Sequence, residues 1–259
     1  MIVDLHNHTP LCNHAEGEPE AYVKQAIKNG TKYFGFSDHA AMDFNPEYRM
    51  SFEQILGYES EVKRLQEKYK NDIEILLAYE VDFVEGHMDD RVLKAKVDYL
   101  IGSVHFIDKW GFDNPEFIGD YKNKDIDKIW QEYFDAIENL AKSGHFDIVG
   151  HLDLIKVFNF LPKKDVRVIA QDALKAIKKA DMVVEMNMSG FRKPTGEAYP
   201  SASLLEVIHE LDIPITLSSD AHKPSDVGLY KDKLLALAKS IGFKKCATFK
   251  NRDRELIKF

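Results

Sequence analysis

The chain has 259 residues, 44% of them hydrophobic, and a formal charge of -8 that comes from 43 acidic and 35 basic residues. This size and composition predict one globular α/β domain over residues 1–259, and no linker, internal repeat or low-complexity tract interrupts it. No basic run is long enough to follow a nucleic-acid backbone, so a nucleic-acid partner is disfavoured.

The sequence also argues against a membrane protein and against a disulfide-stabilised one. No apolar run reaches the ~18 residues that a spanning helix needs, and Met1 leads directly into a strand-like run without a signal segment. Only two cysteines occur, Cys12 and Cys246, which agrees with a reducing compartment. We therefore expect a cytoplasmic protein with no membrane partner, whose oligomeric state the sequence leaves open.

Short apolar runs alternate with longer segments of helical periodicity, which is typical of a parallel β/α architecture. The seven predicted strands are residues 2–5, 33–36, 73–78, 99–103, 148–150, 182–186 and 213–217, with a weaker eighth candidate at 246–249. The predicted helices are residues 18–28, 52–70, 126–142, 166–179, 202–211 and 232–240. About seven such units predict a barrel that closes imperfectly or varies the eightfold one, with an open doubly wound sheet as the alternative.

Histidines and carboxylates stand where the apolar runs end. In chain order they are His6, His8, His39, Glu80, His105, His151, Asp220 and His222. Because the carboxyl ends of parallel strands meet at one end of a barrel, we expect these side chains to converge. Residues two apart on a strand share a face, so the first pair and the last pair can each direct two ligands at one point.

Imidazole and carboxylate together, with no cysteine ligand, suit Zn, Mn or Fe in a catalytic site rather than a structural zinc site. The alternative for any single histidine is a hydrogen-bonded core or rim residue, but repetition at successive strand ends favours a metal centre. His87, His145 and His209 match no such pattern, and we expect them to be structural. Cys12 is expected to be an inert small residue near the rim.

These motifs resemble those of the PHP (polymerase and histidinol phosphatase) superfamily over almost the whole chain. They are residues 4–8 (DLHNH), 37–39 (SDH), 79–82 (YEVD), 102–105 (GSVH), 150–153 (GHLD) and 218–222 (SSDAH), with His14 in the first loop. Residues 102–106, 110–113 and 190–194 resemble the monofunctional histidinol-phosphatases in particular, and no ligand position departs from the family pattern. The resemblance implies a single-domain, distorted TIM-like (β/α)7 barrel that holds three divalent metal ions.

The resemblance further implies how the ligands divide among the three ions. They are His6, His8, Glu80 and Asp220 for the first ion, Glu80, His105 and His151 for the second, and His14, His39 and His222 for the third. The role of His14 comes from the resemblance alone, since this residue lies in a loop. Two ions ~3.5–4 Å apart would lower the pKa of a shared water, so a metal-bridging hydroxide is the expected nucleophile. The proton donor to the leaving group is not identified.

Other polar residues are candidates for contacts around the metals. Arg192 is the candidate phosphate contact, because a guanidinium can bind two phosphate oxygens, and a solvated surface arginine is the alternative. Four residues stand where side chains that orient ligand imidazoles are expected, namely Asp38, Asp153, Glu185 and Asn187, and hydrogen bonding at the barrel rim is the alternative for each. The long loop after His105 carries Glu116 and Asp120, which we expect to face the organic half of the substrate.

The histidinol-phosphatase resemblance implies hydrolysis of L-histidinol phosphate, a small-molecule phosphate ester, to L-histidinol and inorganic phosphate in histidine biosynthesis. One alternative keeps the site but changes the substrate to a nucleotide or another small phosphate ester. A proofreading nuclease is disfavoured by the weak basic character of the chain. A non-catalytic metal-binding barrel is a different class of function, and the complete ligand set disfavours it.

Overall fold

The computed structural model describes every residue from 1 to 259. The strands are β1 (Val3–Asp4), β2 (Tyr33–His39), β3 (Glu74–Asp82), β4 (Tyr99–Ser103), β5 (Phe106–Ile107), β6 (Trp110–Gly111), β7 (Ile148–Val149), β8 (Val183–Asn187), β9 (Ile215–Ser218), β10 (Lys245–Lys250) and β11 (Asp253–Lys258). Seven of these strands form one parallel sheet in the order β1-β2-β3-β4-β7-β8-β9.

The parallel sheet curls into a nearly closed barrel. The Leu5 N–H donates to the Leu217 carbonyl at 3.1 Å, and Asn7 and Ala221 form a parallel bridge between the segments that follow β1 and β9. These contacts join the first strand of the sheet to the last. The predicted (β/α)7 barrel is therefore confirmed, and the open doubly wound sheet is not.

Helices cover the outer face of the barrel strands, and side chains inside the barrel cover the inner face. The helices are α1 (Pro19–Lys28), α2 (Ile55–Tyr69), α3 (Asp90–Leu93), α4 (Ile126–Ser143), α5 (Val166–Ile169), α6 (Gln171–Lys179), α7 (Ala202–Glu210) and α8 (Lys231–Ile241). Strands covered on both faces read as continuous apolar runs, which is why the sequence shows runs and not alternation. The apolar side chains form one cluster of 69 buried residues, so the molecule has a single core.

The helices begin and end close to the residues predicted from the sequence, with two differences. Gly144 ends α4 at φ 71°, in the left-handed conformation that glycine adopts without strain. The helix predicted over residues 166–179 is divided into α5 and α6 at Ala170. A short 3-10 turn, Phe52–Gln54, replaces the predicted start of α2. No helix combines the length and the apolar character that crossing a membrane requires.

A glycine inside β2 allows a tyrosine to cross the barrel interior. A Cβ at Gly35 would lie 1.7 Å from the hydroxyl of Tyr99, so no larger residue fits without displacing that ring. The Tyr99 hydroxyl donates to the Leu5 carbonyl at 2.5 Å. This contact ties β4 to the segment that leads from β1 to the candidate ligands.

The weaker eighth strand candidate, residues 246–249, lies outside the barrel. It falls in β10, which pairs antiparallel with β11 after a turn at Asn251 and Arg252, both at positive φ. The Arg252 N–H donates to the Asp98 carbonyl at 2.8 Å, and its Nε lies 2.5 Å from Asp147 Oδ2. Asp98 and Asp147 precede β4 and β7, so the hairpin packs against the amino ends of the barrel strands.

Candidate metal centre

The structure brings all nine predicted ligands to the carboxyl end of the barrel. Most follow the ends of their strands, whereas His39 is the last residue of β2 and Glu80 lies within β3. Pairing in the sheet sets His39 directly beside Glu80, because the two are register partners in β2 and β3. His14 reaches the same group from the loop after β1, with its Nε2 3.0 Å from His222 Nε2.

Glu80 stands between two groups of imidazoles and directs one carboxylate oxygen at each. Its Oε2 lies 3.3 Å from His6 Nε2 and 3.0 Å from His39 Nδ1. Its Oε1 lies 2.9 Å from His151 Nε2 and 3.7 Å from His105 Nε2. A carboxylate with its two oxygens so divided has the geometry of a ligand that bridges two cations.

Three sets of candidate donor atoms can be recognised around this carboxylate. In each set the donor atoms lie within 4.8 Å of one another, and the sets are His6 with His8 and Glu80, Glu80 with His105 and His151, and His14 with His39 and His222. A fourth group meets the same criterion, namely His8 with Cys12 and His222, and it contains the buried thiol of Cys12. Asp220 adjoins the first set, since its Oδ1 is 3.2 Å from His8 Nε2. The grouping agrees with the division into three ions that the family resemblance implies.

The donor atoms themselves fit bound cations. His6 Nε2, His8 Nε2 and Glu80 Oε2 are buried, and the short distances to their neighbours do not have hydrogen-bond geometry, so none of the three atoms has a hydrogen-bond partner within the protein. Buried polar atoms normally have partners, because leaving one unpaired costs about 1–3 kcal/mol. Unpaired nitrogens and oxygens that converge in one place are the donor set that Zn, Mn or Fe would satisfy.

Carboxylates behind the imidazoles fix which ring nitrogen faces the centre. Glu185 Oε1 accepts from His6 Nδ1 at 2.6 Å, and Asp38 Oδ1 lies 3.3 Å from His8 Nδ1. Such contacts hold the ring and leave Nε2 free for a metal. Asn187 donates to Glu185 Oε2 at 3.0 Å and to Asp220 Oδ2 at 3.1 Å. Asp38 and Glu185 thus contact ligand imidazoles as expected, whereas Asn187 contacts two carboxylates of the site and no imidazole.

The same expectation was wrong for Asp153. Its carboxylate lies 2.9 Å from the buried Lys156 ammonium and accepts from the Ser201 N–H at 2.8 Å, and its side chain contacts none of the predicted ligands. The chain forms a 3-10 turn directly after this residue, which directs the side chain away from His151. Asp153 is therefore part of a buried ion pair beneath the site.

Sequence reasoning missed Asp82 and Arg49. Asp82 Oδ1 forms a short contact with His105 Nδ1, and Asp82 Oδ2 accepts from Arg49 Nη2 at 2.6 Å. The signal for Asp82 was present, since it stands two residues after Glu80 in the same strand and so shares its face. Nothing in the sequence marked Arg49, which reaches the site from the loop after β2.

Burial and charge act in opposite directions on the ionisable groups of the site. Burial alone would raise the pKa of the Glu80 carboxyl, but the imidazoles of His6, His39 and His105 lower it well below its usual range. Burial alone would lower the pKa of His105, but Asp82 and Glu80 raise it to about 10. The imidazoles thus favour the ionised form of Glu80, and a cation that binds His105 would displace a proton.

A cavity of about 670 Å³ opens above the predicted ligands. Arg192 lies in its wall, with Nη2 donating to the carbonyls of Ser219 and Asp220 at 3.0 and 2.8 Å and Nε 3.5 Å from Asp226 Oδ2. Its Nη1 is buried and has no partner. These contacts fix the guanidinium beside the predicted ligands and leave one nitrogen available, so the side chain is not a solvated surface arginine.

The loop after β4 lines the same cavity, but only one of its two acidic candidates faces it. Glu116 lines the cavity with Asp113 and Phe117. Asp120 instead lines a separate surface groove against α4. The three histidines expected to be structural pack against phenylalanine rings, His87 on Phe44, His145 on Phe146 and His209 on Phe243.

The fold and the donor set together define a TIM-like barrel with a histidine- and carboxylate-rich candidate metal centre at the carboxyl ends of its strands. The family model of the PHP domain matches residues 4–189. A probable histidinol-phosphatase of Deinococcus radiodurans is 36% identical over 259 residues, which cover 98% of each chain. This chain belongs to the PHP domain family.

Two further relatives support the assignment. The histidinol-phosphatase of Bacillus subtilis is 27% identical over 87% of this chain and 95% of its own length. A structure of histidinol phosphate phosphatase from Lactococcus lactis, in complex with zinc, L-histidinol and phosphate, has a TM-score of 0.80 and 24% identity and covers 98% of both chains. The likeness to that structure extends over the whole barrel, so the two chains share one fold.

Proposed function

We propose that this chain is a metal-dependent phosphomonoesterase that hydrolyses L-histidinol phosphate to L-histidinol and inorganic phosphate. The observation that carries the proposal is the divided carboxylate of Glu80, whose two oxygens face separate imidazole groups at the floor of a cavity. The substrate follows from relatives that are histidinol-phosphatases or probable ones, because this chain aligns with nearly the whole length of each.

Three divalent ions, of Zn, Mn or Fe, would be held by the nine ligands. Their division is the one given by the three donor sets, with Asp220 added to the first. Asp220 and His222 lie beyond residue 189, where the PHP family match ends. We therefore propose that the whole chain, 1–259, acts as one catalytic domain. When bound, such ions would lower the pKa of a water that attacks phosphorus and would neutralise charge on the phosphate oxygens.

The side chains of this protein would bind and orient the phosphate. Arg192 would donate from its unpaired Nη1 to a phosphate oxygen, while its other nitrogens stay fixed by Ser219, Asp220 and Asp226. Because the guanidinium is already held in place, little conformational entropy is lost when the phosphate binds.

The part of the cavity that the loop after β4 lines would bind the organic half of the substrate. Asp113 and Glu116 place carboxylates there, and Phe106 and Phe117 place aromatic rings. A cationic amine and an imidazole ring match this combination of negative charge and flat apolar surface. The cavity would thus orient histidinol phosphate with its phosphate towards Arg192 and its amine towards Glu116.

Phosphate release tests the proposal. The metal-replete protein should release phosphate from histidinol phosphate with a higher kcat/KM than from nucleoside monophosphates or other small phosphate esters, and His105→Ala should abolish the activity. A higher kcat/KM for a nucleotide would keep the site but replace the substrate. No turnover with Zn, Mn or Fe each supplied would favour a non-catalytic metal-binding barrel.

A further inference from the structure

Arg49 is a buried cation in the loop between β2 and α2, and each part of its guanidinium has a partner. Its side chain is 2% exposed, and Nη2 donates to Asp82 Oδ2 at 2.6 Å. Its Nε donates to the Asn45 carbonyl at 3.0 Å, and Nη1 to the Ala40 carbonyl at 3.4 Å. An arginine buried this completely, with all its nitrogens engaged, fixes the groups around it.

Two of these partners stand directly behind predicted metal ligands. The carboxylate of Asp82 accepts from Arg49 through one oxygen and contacts His105 Nδ1 through the other, so the guanidinium sets the position of the carboxylate that orients His105. Ala40 follows His39, the last residue of β2. Arg49 therefore touches the supports of one ligand from the second donor set and one from the third.

The backbone of the same residue reaches a third ligand. The Asn13 side-chain amide donates to the carbonyls of Glu47 and Arg49, both at 3.1 Å. Asn13 adopts a left-handed conformation at φ 68° and immediately precedes His14. The loop that carries His14 is consequently docked on the loop that Arg49 holds in place.

We propose that Arg49 is a positioning residue that couples the second and third metal sites. Its guanidinium fixes His105 through Asp82 and the strand end at His39, and its carbonyl fixes His14 through Asn13. The inference rests on the proposed three-metal site, but not on the identity of the substrate. A lysine cannot replace the arginine, because a single ammonium does not reach three acceptors in the fixed directions of the guanidinium.

The test combines metal affinity with amide hydrogen exchange. In the metal-free protein, Arg49→Lys should speed exchange in residues 40–50 and in residues 9–16, whereas Asn13→Ala should speed exchange in residues 9–16 alone. In chelator competition, Arg49→Lys should weaken metal binding at two sites by about tenfold to 100-fold, as loss of an orienting contact usually does. Asn13→Ala should weaken one site only.

Arg252→Lys is the matched control, because Arg252 forms an ion pair with Asp147 at the opposite end of the barrel. It should lower Tm without changing metal affinity or exchange in the two loops. Equal effects of Arg49→Lys and Arg252→Lys on metal affinity would overturn the proposal in favour of a general structural role. So would unchanged exchange in residues 9–16 for a folded Arg49→Lys protein.

Two further variants test the proposal if Arg49→Lys does not fold. Asn13→Ala alters an exposed side chain, and unchanged exchange and metal affinity in this variant contradict the coupling through His14. The double variant Arg49→Met with Asp82→Asn removes both charges while an amide oxygen still faces His105, and wild-type metal affinity there contradicts the role of the guanidinium. If the parent protein binds fewer than three ions, the three-metal site fails, whereas the exchange experiment still tests Arg49.

Discussion

Glu185 allows the orienting role of the buried carboxylates to be tested by one isosteric change. Its Oε1 accepts from His6 Nδ1 and from the Ser218 hydroxyl, both at 2.6 Å. Its Oε2 accepts from the His151 backbone N–H at 2.6 Å and from Asn187 Nδ2 at 3.0 Å. Glu185→Gln replaces one of these oxygens with an NH2 group. Whichever way the amide turns, its NH2 group faces two hydrogen-bond donors that the carboxylate oxygen had accepted from.

Both orientations of the amide have a calculable consequence. If the NH2 group faces His151, a buried backbone N–H loses its acceptor, at a cost of about 1–3 kcal/mol. If it faces His6, Nδ1 of the imidazole can accept from the NH2 group only when the ring proton has moved to Nε2. Nε2 is the atom that should bind metal. Loss of an orienting contact weakens metal binding about 10- to 100-fold, or roughly 1.4–2.8 kcal/mol at 1.4 kcal/mol per factor of ten.

Chelator competition and calorimetry measure these two effects. The Glu185→Gln protein should bind metal about 10- to 100-fold more weakly. Its metal-free form should melt roughly 2–12 °C lower, at 2–4 °C per kcal/mol for a chain near this size. Glu61→Gln, on the outer surface of α2, is the isosteric control and should change neither quantity by much. Metal affinity within threefold of the parent protein would refute the orienting role of Glu185.

Four other changes test separate parts of the site. Arg192→Ala should raise KM for histidinol phosphate about tenfold or more, because a hydrogen bond to a charged group is worth about 1.5–3 kcal/mol; unchanged steady-state constants would remove Arg192 from the phosphate site. Arg252→Ala should lower stability by about 1–2 kcal/mol, an ion-pair estimate reduced for partial exposure, and leave kcat/KM unchanged; a loss of activity at equal folded fraction would contradict this. Removal of metal by a chelator should abolish phosphate release and lower Tm, with recovery on adding Zn, Mn or Fe, since a ligand of the folded state alone stabilises it. Metal affinity should rise with pH between 6 and 9, because Asp82 and Glu80 raise the pKa of His105 to about 10 and its proton must leave when metal binds; a flat pH dependence in chelator competition would count against His105 as a ligand.

The predicted ligands converge because their positions depend on strand ends, and strand ends are visible in the sequence. Apolar runs buried on both faces stop where polar side chains begin, so His6, His151 and Asp220 could be assigned to one end of a barrel without knowledge of the packing. The division among three ions could not be derived in this way. It depends on which ring nitrogen faces which oxygen of Glu80, and that is set by contacts between remote segments.

The wrong expectation for Asp120 and the omission of Arg49 have a common physical origin, because both depend on how the chain packs in three dimensions. Glu116 and Asp120 are both acidic residues of the 3-10 segment Pro115–Asn123. With about three residues per turn, side chains four apart point roughly 120° away from each other, so only one of the two can face the cavity. Arg49 had no local signal at all, because its role arises from a loop that folds back onto β3.

The two ends of the barrel differ in whether their buried groups need a bound cation to be satisfied. At the carboxyl end, Glu80, Glu185 and several imidazoles are buried at a desolvation cost, and donor atoms are left without partners. Cations bound there would offset that cost. Without them, the unpaired donor atoms should lower the local stability of the carboxyl end. At the amino end, Arg252 and the hairpin of β10 and β11 form contacts that require no ligand. We therefore expect the chain to fold without bound metal, because the contacts at the amino end do not depend on cations at the carboxyl end.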